Sequence, residues 1–186
     1  MTSPSLYVPT LLWTLALFAG PAEAQGALCS GESDRAVEVA GFGTAYFSGF
    51  RLEGGVAELF GGVCLESEAR EADGAPLWTL RVEEMRFDTQ LKRTNLSLSE
   101  VSLTVGAWLI KASALESRQG GFSLAEVELE SEHLRGRARA AFYDPATEEI
   151  LFVGVEVRGQ DYQLSGARAR LAGASLLVED ALATTC

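Results

Sequence analysis

Glu126-Val127-Glu128-Leu129-Glu130, followed by Leu134-Arg135-Gly136-Arg137-Ala138-Arg139-Ala140, decides the fold of this chain. Charged side chains take every second place, and apolar or small ones fill the places between. A period of two belongs to half-buried strands; a surface helix would repeat near 3.6. The alternation resumes beyond Asp144-Pro145-Ala146-Thr147, a turn by its Asp and Pro. There Leu151, Val153, Val155 and Val157 share one parity, as Leu134, Gly136, Ala138, Ala140 and Phe142 do before the turn. Phe122 to Leu171 therefore reads as consecutive antiparallel strands.

A register follows if Ser131 to Leu134 form a turn. Glu130 then faces Arg135, Glu128 faces Arg137 and Glu126 faces Arg139, a ladder in which each opposed pair adds roughly 0.2–1 kcal/mol. The apolar face pairs Leu129 with Gly136 and Val127 with Ala138. The next hairpin is expected to set Ala140 against Leu151, Ala138 against Val153 and Gly136 against Val155. With Gly159-Gln160 as a two-residue loop, Val157 meets Tyr162 and Val155 meets Leu164. The ladder accounts for the Arg135, Arg137, Arg139 stripe better than recognition of anionic lipid phosphates does, because the matching Glu residues stand at the right positions.

Outward from this stretch, 186 residues suggest one domain with a substantial core. Residues 1–24 read as a separate signal peptide: Leu6 to Ala19 is apolar, and Ala22-Glu23-Ala24 has the small-x-small form of a cleavage site. Its amino-terminal part lacks Lys and Arg. The apolar run is short for a membrane span of about 20 residues. Residues 25–186 form the single expected domain, exported to the periplasm or associated with an outer membrane. The whole chain carries net charge −11, and without Glu23 the mature part stands near −10. Such a domain is a poor nucleic-acid binder, which needs clustered cations.

Three cysteines, Cys29, Cys64 and Cys186, allow one disulfide and one thiol. Cys64 lies between Val63 and Leu65, where a buried thiol is the ordinary expectation. Cys29 and Cys186 lie near the two ends and could pair.

Two further patterns concern shape. An aromatic-x-Leu form recurs at Phe50-Arg51-Leu52, Trp78-Thr79-Leu80 and Tyr162-Gln163-Leu164, with poorer copies at Trp108-Leu109 and His133-Leu134. Its Leu positions stand 25 to 30 residues apart, about two strands and two turns. Parity also slips within strands. Phe50, Leu52 and Gly54 give way to Ala57 and Leu59, Trp78, Leu80 and Val82 to Met85 and Phe87, and Leu96 and Leu98 to Val101, Leu103 and Val105. Tyr162, Leu164 and Gly166 likewise give way to Ala167, Ala169 and Leu171. A bulge or sharp bend in each strand produces such a slip, and bends at matching positions fold a sheet over an apolar interior.

Catalytic machinery is not expected. His133 is the only histidine and falls in a turn, where it is solvated. No carboxylate stands alone in an apolar run as a raised-pKa acid would. Glu32, Asp34, Glu66, Glu68, Glu71 and Asp73 read as solvating charges, and no metal-ligand spacing, phosphate loop or cofactor motif is found. Asn95-Leu96-Ser97 is a formal glycosylation sequon. What remains is apolar surface. Phe50, Leu52, Trp78, Leu80, Trp108, Ile110, Phe152, Val155, Tyr162 and Leu164 could line an interior that is either a dry core or a groove open along one edge. An acyl chain buried in such a groove gains about 0.8 kcal/mol per methylene.

The run Leu134 to Asp144, the strand containing Val155, and Tyr162-Gln163-Leu164-Ser165-Gly166-Ala167-Arg168-Ala169 resemble the OstA-like modules of lipopolysaccharide transport, the family of LptA, LptC and the LptD amino-terminal domain. Thr184-Thr185-Cys186 is similar to a segment of the last. The resemblance covers Phe122 to Cys186 best and Phe50 to Ser117 faintly. It implies an all-β fold, a bent antiparallel sheet (β-jellyroll or β-taco) built from consecutive hairpins. It also implies a groove for the acyl chains of lipopolysaccharide or another envelope lipid, and modules that join edge to edge. The other expectation is a structural or assembly module that pairs by strand edges and has no lipid ligand.

Overall fold

The computed structural model describes residues 15–18, 29, 33, 35–39, 41–68, 70–72, 74–89, 96–118, 121–144, 147–173 and 175–185. The strands are β1 (Leu15–Phe18), β2 (Ala36–Val39), β3 (Gly43–Tyr46), β4 (Gly49–Glu53), β5 (Val56–Ser67), β6 (Thr79–Asp88) and β7 (Ser97–Val105). They continue as β8 (Trp108–Arg118), β9 (Gly121–Glu130), β10 (Arg135–Asp144), β11 (Glu149–Arg158), β12 (Tyr162–Ala172), β13 (Ser175–Glu179) and β14 (Leu182–Thr185). They form one antiparallel sheet in the order β1-β13-β12-β11-β10-β9-β8-β7-β6-β5-β3-β2, with β4 on β5 and β14 on β12. The sheet of consecutive hairpins curls into a half-barrel, the all-β, taco-like architecture expected from the alternation.

A crease crosses every long strand. Ala138 pairs with Val127 and Ala140 with Ala125, but the ladder skips Arg139 and Glu126 between them. The same skip falls at Glu100/Ser113, Ser113/Glu126, Arg139/Gly154 and Gly154/Ala167. In β5 the register shifts between Phe60 and Val63, across Gly61 and Gly62. Left-handed backbone marks the line in alternate strands: Gly61 (φ 78°) and Gly62 (φ 80°), Glu100 (φ 53°), Glu126 (φ 50°), Gly154 (φ 65°) and Asp180 (φ 51°). Neighbouring strands meet the bend in opposite directions, and those of one direction take it through a positive φ. Inward-facing residues consequently stand three apart across the crease instead of two: Val82 and Met85, Leu98 and Val101, Ala112 and Leu115, Leu124 and Val127, Ala138 and Ala141, Phe152 and Val155.

The crease divides the sheet into an upper limb, ending at the turns near Gly106, Ser131–Leu134 and Gly159, and a lower limb, ending near Asp144 and Gly173. Beside β12 at one end and β5 at the other, the next position holds a strand broken at the crease. β13 and β14 continue one another along β12, and β3 and β4 do so along β5. The two limbs close on one another. Trp78 of the upper limb packs edge-on to Phe122 and Tyr143 of the lower, centroids 5.6 and 6.0 Å away, and those two rings stack at 4.8 Å. A Cβ added to Gly106 would stand 3.7 Å from the Gly173 carbonyl oxygen. Between the limbs lies one hydrophobic core, with Trp108, Ile110, Leu115, Ala141, Phe152 and Val178 wholly buried. Each large side chain taken out of water there contributes roughly 1.5–3 kcal/mol.

Several expectations are corrected. The turn at Ser131–Leu134 and the pairs Glu130/Arg135, Glu128/Arg137, Leu129/Gly136 and Val127/Ala138 stand as read. Arg139 and Glu126 fall on the crease and are not a ladder pair. The next two hairpins are shifted by two residues: Ala140 meets Val153 and Ala138 meets Val155, and Val157 meets Leu164. The loops are longer than expected, with Asp144 accepting a bond from the left-handed Glu148 and Tyr162 one from Gly159. A two-residue shift preserves the face, so the inward set was less disturbed than the pairing. Phe142 and Leu151, expected on the apolar face, lie beyond the crease and point outward. Ala167 is exposed on the crease. The slip after Leu52 is the Gly54-Gly55 hairpin turn, not a bend.

The disulfide joins Cys29 to Cys64, not to Cys186, with Cα atoms 5.5 Å apart; Cys186 lies outside the described residues. Cys64 faces outward on β5, opposite to the inward Val63 and Leu65, and is covered by Cys29. Glu66, expected to be a solvating charge, is buried beside it because its carboxylate has partners. It accepts the Cys29 backbone N–H at 2.8 Å and the Arg70 guanidinium at 3.3 Å. Most of residues 1–24 and Asn95 of the sequon lie outside the described residues; Leu15–Phe18 runs as β1 along the β13 edge.

Candidate functional site

The ten apolar residues singled out above do not share one environment. Trp78, Leu80, Trp108, Ile110, Phe152, Val155 and Leu164 belong to the packed core between the limbs. Tyr162 is half-buried against it, its ring resting where a Cβ of Gly159 would be. Phe50 and Leu52 differ: they are 48% and 57% exposed. They nevertheless face inward. Phe50 stands opposite Leu59 and Leu52 opposite Ala57, and both partners are fully buried. The apolar interior thus runs out to solvent at the lower edge of the sheet, along β4.

β4 owes this position to its neighbours. Gly54 and Gly55, both left-handed, close a tight hairpin onto β5. The ring of Phe60 occupies the place a Cβ of Gly49 would need, so any larger residue at the start of the strand displaces that ring. Among the described residues β4 pairs with β5 alone, leaving its other backbone edge without a strand. Phe47 is buried beside the mouth, its ring 6.1 Å from that of Phe50. On the opposite face, Glu58 holds the guanidinium groups of Arg51 and Arg86 and fixes the hairpin from outside. The mouth is apolar within and bordered by an ion-paired cluster without.

Among the described residues the remaining polar features lie away from this mouth. Burial pushes the Tyr143 hydroxyl above its ordinary value, but the group belongs to the aromatic contact between the limbs. His133 is exposed in its turn beside Glu132. Among the described residues no group of three or more His, Cys, Asp or Glu side chains is gathered to hold a metal. An open depression of about 1250 Å³ at the upper rim is walled by Lys111, Glu128, Arg137, Glu156 and Arg158, charges of both signs. The sequence placed Phe50 and Leu52 among the interior residues but carried no sign that they alone would stay uncovered. That depends on β4 being the last strand of its limb.

The class defined by this geometry is a curled, creased antiparallel sheet with an apolar interior open at one edge strand. No family model matches the chain, and no curated protein matches it.

Proposed function

We propose that this is an exported, non-enzymatic module of the cell envelope that shelters the acyl part of an amphipathic lipid, lipopolysaccharide or another envelope lipid, against its apolar interior. The supporting observation is the β4 mouth, where inward-facing Phe50 and Leu52 remain half exposed while their cross-strand partners are buried. A lipid tail laid along β4 would cover both side chains and continue the interior surface. Each methylene withdrawn from water adds about 0.8 kcal/mol. The resemblance of Leu134 to Ala169 to OstA-like modules points to the same periplasmic or outer-membrane setting.

Native mass spectrometry of the chain purified from envelope extracts tests the reading. Lipid adducts that disappear in Leu52→Glu support it; a chain that stays free of lipid with every extract and added envelope lipid defeats it.

The free edge of β4 favours a second reading, strand pairing with another module and no lipid. The exposed backbone donors and acceptors of an edge strand are a template for an added strand. In that case a Pro placed at an outward-pointing amide of β4 abolishes assembly while lipid plays no part.

A further inference from the structure

On the lower limb the outer face of the sheet is apolar too. One row of outward positions runs Glu116, Ser123, Phe142, Leu151, Arg170 across β8 to β12. The row nearer the crease runs Ala114, Ala125, Ala140, Val153, Arg168. Phe142 and Leu151 are 47% and 43% exposed, although the fold has already buried the opposite face of the same strands. The outer row is ordered: acid at the β8 end, apolar side chains in the middle, arginine at the β12 end; the row nearer the crease is small and apolar from Ala114 to Val153 and ends in Arg168.

That order is self-complementary. A two-fold axis parallel to β10, the middle strand of the five, turns the face onto a second copy of itself. β10 then meets its own counterpart, β9 meets β11, and β8 meets β12. Phe142 packs near the partner copy's equivalent ring, and Ser123 lies over Leu151. Glu116 of each copy meets Arg170 of the other at both ends of the row. An isologous contact repeats every favourable pair twice, and two aligned sheets pack about 10 Å apart with side chains interdigitated. We propose that the outer face of the lower limb is a homodimer interface, and that its occupant is a second copy of this chain.

Its size sets its strength. Five strands about 4.8 Å apart and two rows about 7 Å apart give a footprint of roughly 300–400 Å² per copy. Stable interfaces cover about 800 Å² per partner. The dimer is therefore weak and forms only at high protein concentration. It matters where the chain is concentrated or held on a surface. The proposal does not depend on lipid binding.

Sedimentation velocity on the full chain, from about 10 µM to about 1 mM, tests it with a charge swap. Wild type is expected to shift from monomer to dimer across this range, and Leu151→Glu to stay monomeric at unchanged melting temperature. Glu116→Lys and Arg170→Glu, each placing like charges together, should each weaken association about tenfold or more. The double variant restores it, because Lys and Glu then meet in both copies. Arg170 also lies 3.6 Å from Glu149 and from Glu179 in its own chain, so the recovery in the double variant, and not the single loss, is the decisive reading. Wild type monomeric throughout, a dimer indifferent to Leu151→Glu, or a double variant no better than either single one overturns the proposal. Dissociation by Leu52→Glu in place of Leu151→Glu would move the contact to β4 and overturn it equally.

Discussion

The same five strands, β8 to β12, carry opposite outer surfaces on the two sides of the crease. On the upper limb the outward rows are Lys111, Glu128, Arg137, Glu156, Ser165 and Leu109, Glu130, Arg135, Arg158, Gln163, mostly charges of both signs. Arg137 reaches Glu156 at 2.8 Å and Arg135 reaches Glu130 at 3.2 Å. On the lower limb the three middle strands hold Ala125, Ala140, Phe142, Leu151 and Val153, with Ser123, and charge is confined to Glu116 on β8 and Arg168 and Arg170 on β12. Folding requires only that the inner faces be apolar, and they are so on both limbs. The upper limb shows that the outer face of these strands tolerates a mostly charged surface. Its apolar counterpart below is therefore not a demand of the fold, and exposed apolar patches of that kind mark contacts.

The sharpest way to break the comparison uses adjacent residues of β11. Phe152 faces the core, wholly buried, and Leu151 faces solvent. Phe152→Ala should cost about 3–5 kcal/mol, and Leu151→Ala within about 0.5 kcal/mol, read by urea unfolding at low protein concentration. An uncreased strand, in which Leu151, Val153, Val155 and Val157 share one face, requires the reverse order of effects.

That contrast also explains what could be read from the sequence. Where the outer face is charged, between Val127 and Ala138, alternation is unambiguous and the register comes out correctly. In β6 and β7 the crease shows as a three-residue step in an otherwise regular alternation, from Val82 to Met85 and from Leu98 to Val101. In β10 and β11 the step is hidden. Ala140, Phe142, Leu151 and Val153 make the outward parity as apolar as the inward one, so each strand looks straight. The feature that makes the lower limb a candidate interface is the one that removed the sign of its bend. The mouth was half legible: composition marked Phe50 and Leu52 as interior-facing, while their exposure depends on which strand ends the sheet. The Cys29–Cys64 bond was not legible, because it needs Cys29 to lie against the outward face of β5, far from it in sequence.

That bond sharpens the comparison from the other limb. The upper limb is covered on its outside at one edge, where Cys29 lies over Cys64 and its N–H is held by buried Glu66. Closing a loop of 35 residues restricts the unfolded chain by about 4 kcal/mol in the chain-entropy model. Cys64→Ser, or reduction, should lower stability by roughly that amount. If the Glu66 hydrogen bond alone held Cys29 in place, the loss would stay below about 1 kcal/mol.

The crease itself can be relaxed. Glu126 occupies a left-handed conformation that costs a residue with a Cβ roughly 1–2 kcal/mol, whereas Gly154 occupies the equivalent place in β11 without that cost. Glu126→Gly should therefore be neutral to stabilising by about 1 kcal/mol after the added freedom of the unfolded chain is counted. Gly154→Ala should destabilise by about 1–2 kcal/mol, since its Cβ would also meet the Arg139 guanidinium, Nε at 2.5 Å. Opposite signs at two equivalent positions would establish that the bend is imposed by the closing of the limbs and not by the residue that sits in it.

The smallest effect belongs to the charged ladder. The Arg137 and Glu156 side chains are 74% and 43% exposed, and water and salt screen such a pair. Arg137→Ala should cost about 0.2–1 kcal/mol at low ionic strength and less at about 1 M salt, where the screening length falls to about 3 Å. A larger, salt-insensitive loss would mean that Arg137 contributes through its aliphatic stem packed on the sheet, and the upper face would then differ from the lower in charge but not in the way it is covered. A small, screened loss instead leaves the ladder as a surface that keeps the upper limb in water, so that only the lower limb is left to meet a partner face to face.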